Sequence, residues 1–204
     1  MRSIVLALVL GLGSLAVPAF AQSGGTPLNI RGTVDKLDGE TLTVTTREGP
    51  KAAIVLPADV RISGVKKITV ADIKDGDYIA STSIKGPDGK LRAMEIHTFP
   101  PGPPPRNLNQ RPYDLAPNSL MTNAQVSQVT KVSQGATTEI TVTYEDKKEV
   151  VVVSPETAIV APTSGDKSLL KSGAAVFVAV TKEADGKLTA ARVVAETNGI
   201  KPPM

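Results

Sequence analysis

Apolar positions follow two regimes along this 204-residue chain. Residues 4–17, from Ile4 to Val17, form an unbroken apolar run. Beyond residue 25 the pattern changes to short stretches that alternate every second position, the period of a half-buried strand. Ile30, Gly32 and Val34 alternate before an Asp38-Gly39 turn, and Leu42 and Val44 alternate among Thr41, Thr43, Thr45 and Thr46. A third strand is predicted over Ala52–Leu56, stopped by Pro57. Asp77–Lys85 and Lys90–Thr98 flank Gly86-Pro87-Asp88-Gly89, a hairpin loop made of turn residues. The same succession returns as Val126–Lys131, Glu139–Tyr144, Glu149–Val153, Ala175–Lys182 and Lys187–Glu196.

A steady spacing links the two sets. Gly76 and Gly173 are 97 apart, as are Gly89-Lys90-Leu91-Arg92-Ala93 and Gly186-Lys187-Leu188-Thr189-Ala190. Leu42-Thr43-Val44 matches Ile140-Thr141-Val142 at 98, and Ile54-Val55-Leu56-Pro57 is aligned with Val152-Val153-Ser154-Pro155 at the same spacing. One unit used twice is the simplest source of such spacing. Between the third and fourth strands of each copy lie Thr69–Lys74 and Asp166–Lys171. Val70 and Ile73, or Leu169 and Leu170, would lay an apolar side on a barrel, and Gly76 and Gly173 would end the turn. The expectation is an all-β chain of two tandem, five-stranded OB-like barrels, each with a short helical turn between strands 3 and 4.

The apolar run at the start reads as a secretory leader. Arg2 supplies the positive start, Pro18 breaks the run, and Ala19-Phe20-Ala21 fits cleavage after Ala21. No later stretch approaches the roughly 20 apolar residues of a membrane span. The expected division is 1–21 leader, 22–98 first barrel, 99–125 proline-rich linker, 126–197 second barrel and 198–204 tail, in a periplasmic or secreted protein. Phe99-Pro100-Pro101-Gly102-Pro103-Pro104-Pro105 favours an extended spacer. After the prolines, Tyr113, Leu115, Leu120 and Met121 are apolar enough to pack onto a barrel.

Composition narrows the chemistry. The chain has no Cys, which excludes disulfides, thiolate metal sites and thiol nucleophiles within it. His97 is its one histidine, which rules out a multi-histidine centre. The net charge of +3 is small, and it is spread evenly. Residues 30–98 carry 11 basic and 10 acidic groups, and residues 126–197 carry 8 and 9. With no Trp and few aromatics, this argues against nucleic-acid binding.

The run Gly32-x-Val34, Leu42-x-Val44, Leu56-Pro57, Gly76-Asp77-x-Ile79 and Gly89-x-Leu91-x-Ala93 resembles exported bacterial domains of unknown function with OB-like barrels. Ser119–Ala124 and the ending Gly199–Met204 resemble a periplasmic subgroup often labelled metal ABC transporter permease. The resemblance implies the barrel fold and transfers no catalytic residue set. In the second copy Ala174 stands for Asp77, and Gln128 is aligned with Gly32. A permease needs several membrane-spanning helices, and the sequence after residue 21 offers none.

Four candidate sites follow. Asp72, Asp75 and Asp77 gather oxygens around Gly76 and are the metal candidates, though their spacing is not that of an EF-hand. Ser168 and Lys171 share a Ser-x-x-Lys spacing but lack its companion motifs. His97 lies at a strand end beside the linker and could sense pH. Tyr113, Tyr144 and Phe177 are candidates for an exposed interaction patch. The expected function is non-enzymatic binding of an envelope protein, polymer or small ligand, with no cofactor. A periplasmic accessory in metal or solute handling is the alternative, and an enzyme is disfavoured because no acid–base constellation stands out.

Overall fold

The computed structural model describes residues 25–131 and 137–202. The leader expected at 1–21 lies outside the described residues, as do the last two residues of the tail. The chain is all-β, with strands β1 (Thr26–Asp38), β2 (Thr41–Thr46), β3 (Lys51–Val55), β4 (Arg61–Lys67), β5 (Tyr78–Lys85), β6 (Leu91–Thr98) and β7 (Asn109–Pro112). They are followed by β8 (Ser119–Lys131), β9 (Thr138–Tyr144), β10 (Lys147–Val153), β11 (Ala158–Ser164), β12 (Ala175–Lys182) and β13 (Leu188–Ala195).

The alternation read from the sequence sets the inward face. Leu42 and Val44 on β2, and Ile140, Val142 and Tyr144 on β9, are almost fully buried while the residues between them are partly exposed. On the third strands the buried residues are Ile54 on β3 and Val151 and Val153 on β10, with Leu56 buried just past β3. β3 and β10 therefore correspond at 97 and not at the 98 that sequence matching suggested. A slip of one residue would turn Val152 inward in place of Val151.

Strand pairing then departs from the expected one barrel per copy. β5, β6, β10, β9 and β8 pair in a closed circuit, a five-stranded barrel. β1, β2, β3, β13 and β12 pair round a second closed circuit. Each circuit takes three strands from one half of the chain and a hairpin from the other half: β1–β3 with β12–β13, and β8–β10 with β5–β6. β4 and β11, absent from the sequence reading, lie antiparallel to each other between the circuits. β11 also runs parallel to β6, and β4 parallel to β13.

Each circuit encloses its own core. Ile30, Val34, Leu42, Ile54, Val176 and Val178 belong to one, and Ile79, Leu91, Ile96, Ile140, Val142 and Val151 to the other. The helical turns expected between strands are single 3-10 turns, Val70–Asp72 and Lys167–Leu169. Their apolar role holds nonetheless. Ile73 plugs one core at 2% exposure and Leu170 the other at 4%.

The turn glycines tie the ends of the first strands. Gly76 N–H donates to the Val126 carbonyl and Val126 N–H to that of Asp77, both at 2.8 Å. Gly173 N–H donates to the Val34 carbonyl and Val34 N–H to that of Ala174, both at 2.9 Å. A bulge follows Val34 on β1 and another follows Val126 on β8. Val34 and Val126 thus occupy equivalent places, so the counterpart of Gly32 is Ala124 and not Gln128. The linker is more than a spacer. β7 pairs with β8, and the first residues of β8 fall within 99–125.

Candidate functional site

Position Arg31 sits on β1, where alternation turns its side chain away from the core that holds Ile30. It is nevertheless only 3% exposed, because the linker folds over it. Its guanidinium carbon lies 5.2 Å from the centre of the Tyr113 ring and 5.3 Å from that of Phe177. Nη1 and Nη2 donate to the two carboxylate oxygens of Asp114 at 2.8 and 2.7 Å. Such a fork-to-carboxylate pair is among the stronger side-chain contacts. Burial is the largest influence and disfavours the Arg31 charge, but the Asp114 hydrogen bonds, the Asp114 charge and Tyr113 together outweigh it and the net pKa is raised. The same bonds hold the Asp114 carboxyl below its ordinary value. Nε of Arg31 is buried and has no partner among the described residues.

The arrangement continues across neighbouring strands. Arg31 is the register partner of Phe177 on β12. Arg192 on β13 places its guanidinium 5.1 Å from the Phe177 ring centre. Arg192 is in turn the register partner of Arg61 on β4. Four adjacent strands thus carry a ladder of cation, aromatic ring, cation and cation. Arg61, Arg111 and Arg192 are exposed, and none has an ion pair among the described residues. Desolvation, then the charges of Arg61 and Arg111, hold the Arg192 pKa below its ordinary value. Arg111 on β7 donates to the Asn109 side chain at 3.3 Å.

The acidic and imidazole groups nearby are already engaged. Glu95, 8% exposed on β6, accepts from Thr82 at 2.9 Å. His97 is partly buried and stacks on Phe99 with ring centres 6.2 Å apart. Desolvation, with a smaller contribution from Arg192, pushes its pKa down to about 4. Burial raises the Tyr113 pKa, so its hydroxyl keeps its proton at neutral pH.

The sequence candidates fare unevenly. Tyr113 and Phe177 come together around Arg31, but as the walls of a slot and not as an open patch. Tyr144 lies elsewhere, 2% exposed in the core, with its hydroxyl donating to Glu149 at 2.8 Å. The exposed large apolar residues among those described are Ile84 and Met94, neither of them one of the expected aromatic residues.

The three aspartates do not converge. Asp72 accepts from the Thr69 backbone and hydroxyl, both at 2.8 Å, which keeps its carboxyl below the ordinary range. Asp77 accepts from the Lys74 backbone at 2.8 Å, and Asp75 is exposed. No group of three metal-ligating side chains with suitable geometry occurs among the described residues. Ser168 falls inside a 3-10 turn and Lys171 beyond it; both border a hollow of about 320 Å³ with Glu196 and Asn198.

Sequence reasoning missed all four arginines. Residues 30–98 and 126–197 are each close to electrically neutral; Arg31 and Arg61 come from the first stretch, Arg192 from the second and Arg111 from between them. Only the exchanged pairing assembles them. No family model, curated protein or solved structure matches this chain.

Proposed function

We propose that this chain is an exported, non-enzymatic binding protein of two OB-like barrels with exchanged strands. On this reading it holds an envelope ligand at the arginine ladder. The circuit order β1-β2-β3-β13-β12 supports the OB-like description, because it is the order of a five-stranded Greek-key barrel with the closing hairpin taken from the other copy. The matched bulges and glycine ties support descent of both copies from one unit. The export reading rests on the leader pattern at 1–21.

The observation that carries the binding role is the pairing of Arg192 with Arg61. Like charges on neighbouring strands repel, and neither arginine makes an ion pair among the described residues. A feature that breaks a local rule without internal compensation marks a functional surface. The non-enzymatic reading is supported by the state of the neighbouring groups. Asp114 is bound to Arg31, Glu95 accepts from Thr82, and His97 is neutral at physiological pH.

A thermal-shift screen of the chain from Gln22 onward tests the proposal. The panel holds inorganic anions, envelope glycans, periplasmic solutes and divalent metals. A ligand present at about 100 times its Kd adds about 2.7 kcal/mol, and the midpoint rises by several degrees. The expected result is such a rise, lost in Arg192→Gln. Silence across the whole panel from a folded sample overturns the binding reading.

A further inference from the structure

Resting on the binding reading above, we infer that the arginine ladder is a receptor for a phosphoryl group, with Arg61 and Arg192 as its principal donors. Arg61 and Arg192 are register partners on the parallel strands β4 and β13, both exposed and neither in an ion pair among the described residues. Arg192 is anchored over Phe177, which limits the rotamer freedom it loses when a ligand arrives. Arg31 lies beside the same ring, but Asp114 neutralises its charge, which leaves the anion to Arg61 and Arg192.

The ligand class follows from the donors. A guanidinium presents a planar fork that matches two oxygens of one anion. Two forks on neighbouring strands offer more donors than one carboxylate can use, whereas a phosphoryl group has three free oxygens to share between them. The ring faces do not suit base stacking. Phe177 is 6% exposed beneath two guanidinium groups, and Tyr113 packs against Arg31. The site therefore favours a phosphate carried on a small molecule or headgroup over a single-stranded nucleic acid.

Isothermal titration with sodium pyrophosphate in a phosphate-free buffer tests the inference. Arg61→Gln and Arg192→Gln are each expected to weaken binding about tenfold, the loss of one charge-assisted contact. Lys148→Gln, at an exposed lysine of β10, is the control and is expected to leave affinity unchanged. Both arginines are exposed, so their replacement spares the fold, which circular dichroism checks. A second arm uses vesicles of phosphatidylglycerol against phosphatidylcholine. Arginine-dependent capture by the former alone assigns the phosphate to a lipid headgroup, and its lack assigns it to a soluble phosphate.

No pyrophosphate binding, or binding indifferent to both arginines, overturns the inference. Binding of oligothymidylate without pyrophosphate overturns it in favour of a nucleic acid. If pyrophosphate is silent but another ligand of the thermal panel binds and loses its effect in Arg192→Gln, the phosphoryl assignment falls and the binding reading stands.

Discussion

Arg31 shows how one side chain can hold parts of the chain that are far apart in sequence. Its guanidinium joins β1, the linker at Tyr113 and Asp114, and Phe177 on β12. Removing one member of a buried ion pair leaves the other uncompensated. Asp114 is half exposed, so water recovers part of the loss. Asp114→Asn is expected to destabilise the protein by about 2 kcal/mol in urea unfolding, and Arg31→Met in the same chain to recover part of it. His97 gives a second prediction at this scale. Its folded pKa of about 4 lies below the ordinary 6.5, so the unfolded chain binds more protons between those values. Stability is complete above pH 6.5, falls as pH drops toward 4, and loses no more than about 3 kcal/mol from this group. His97→Gln should flatten that slope.

Single elements were largely legible before the pairing was known. β12 and the alternating cores of β2 and β9 follow from period-two patterning and β-branched residues, and the inward sides of Ile73 and Leu170 follow from the apolar spacing of the turns. β4 and β11 were not legible. Arg61-Ile62-Ser63-Gly64-Val65-Lys66-Lys67 has little alternation, because this strand is held by neighbours on both edges and covers no core of its own. The turn glycines are testable here. Gly173 has φ +88° and open space around a would-be Cβ, so Gly173→Ala should cost about 1–2 kcal/mol through backbone strain alone. Leu170→Ala empties a plug of the core, and a loss of about 2–5 kcal/mol in chemical denaturation is expected.

At the scale of the molecule, local pattern could not reveal which hairpin closes which barrel. The hairpins β5–β6 and β12–β13 present similar alternation to β1–β3. The choice depends on the lengths and courses of β4, β11 and the linker, which act over the whole chain. Exchange has a thermodynamic signature. Neither circuit closes within one half of the chain, and β4 and β11 tie the two circuits to each other, so the two cores should melt together. Calorimetry is expected to give one transition whose van't Hoff and calorimetric enthalpies agree. Residues 22–98 alone should lack a cooperative transition and regain one when mixed with 99–202.

Exchange also sets a timetable. β1–β3 leave the ribosome early, yet their closing partners, β12 and β13, end only at Ala195. At about 5–20 residues per second, the first three strands wait roughly 10–30 s for a mate. During that interval the nascent chain holds alternating strands that no local partner can bury. The architecture thus keeps the first three strands unmated until the last hairpin of the chain has been made.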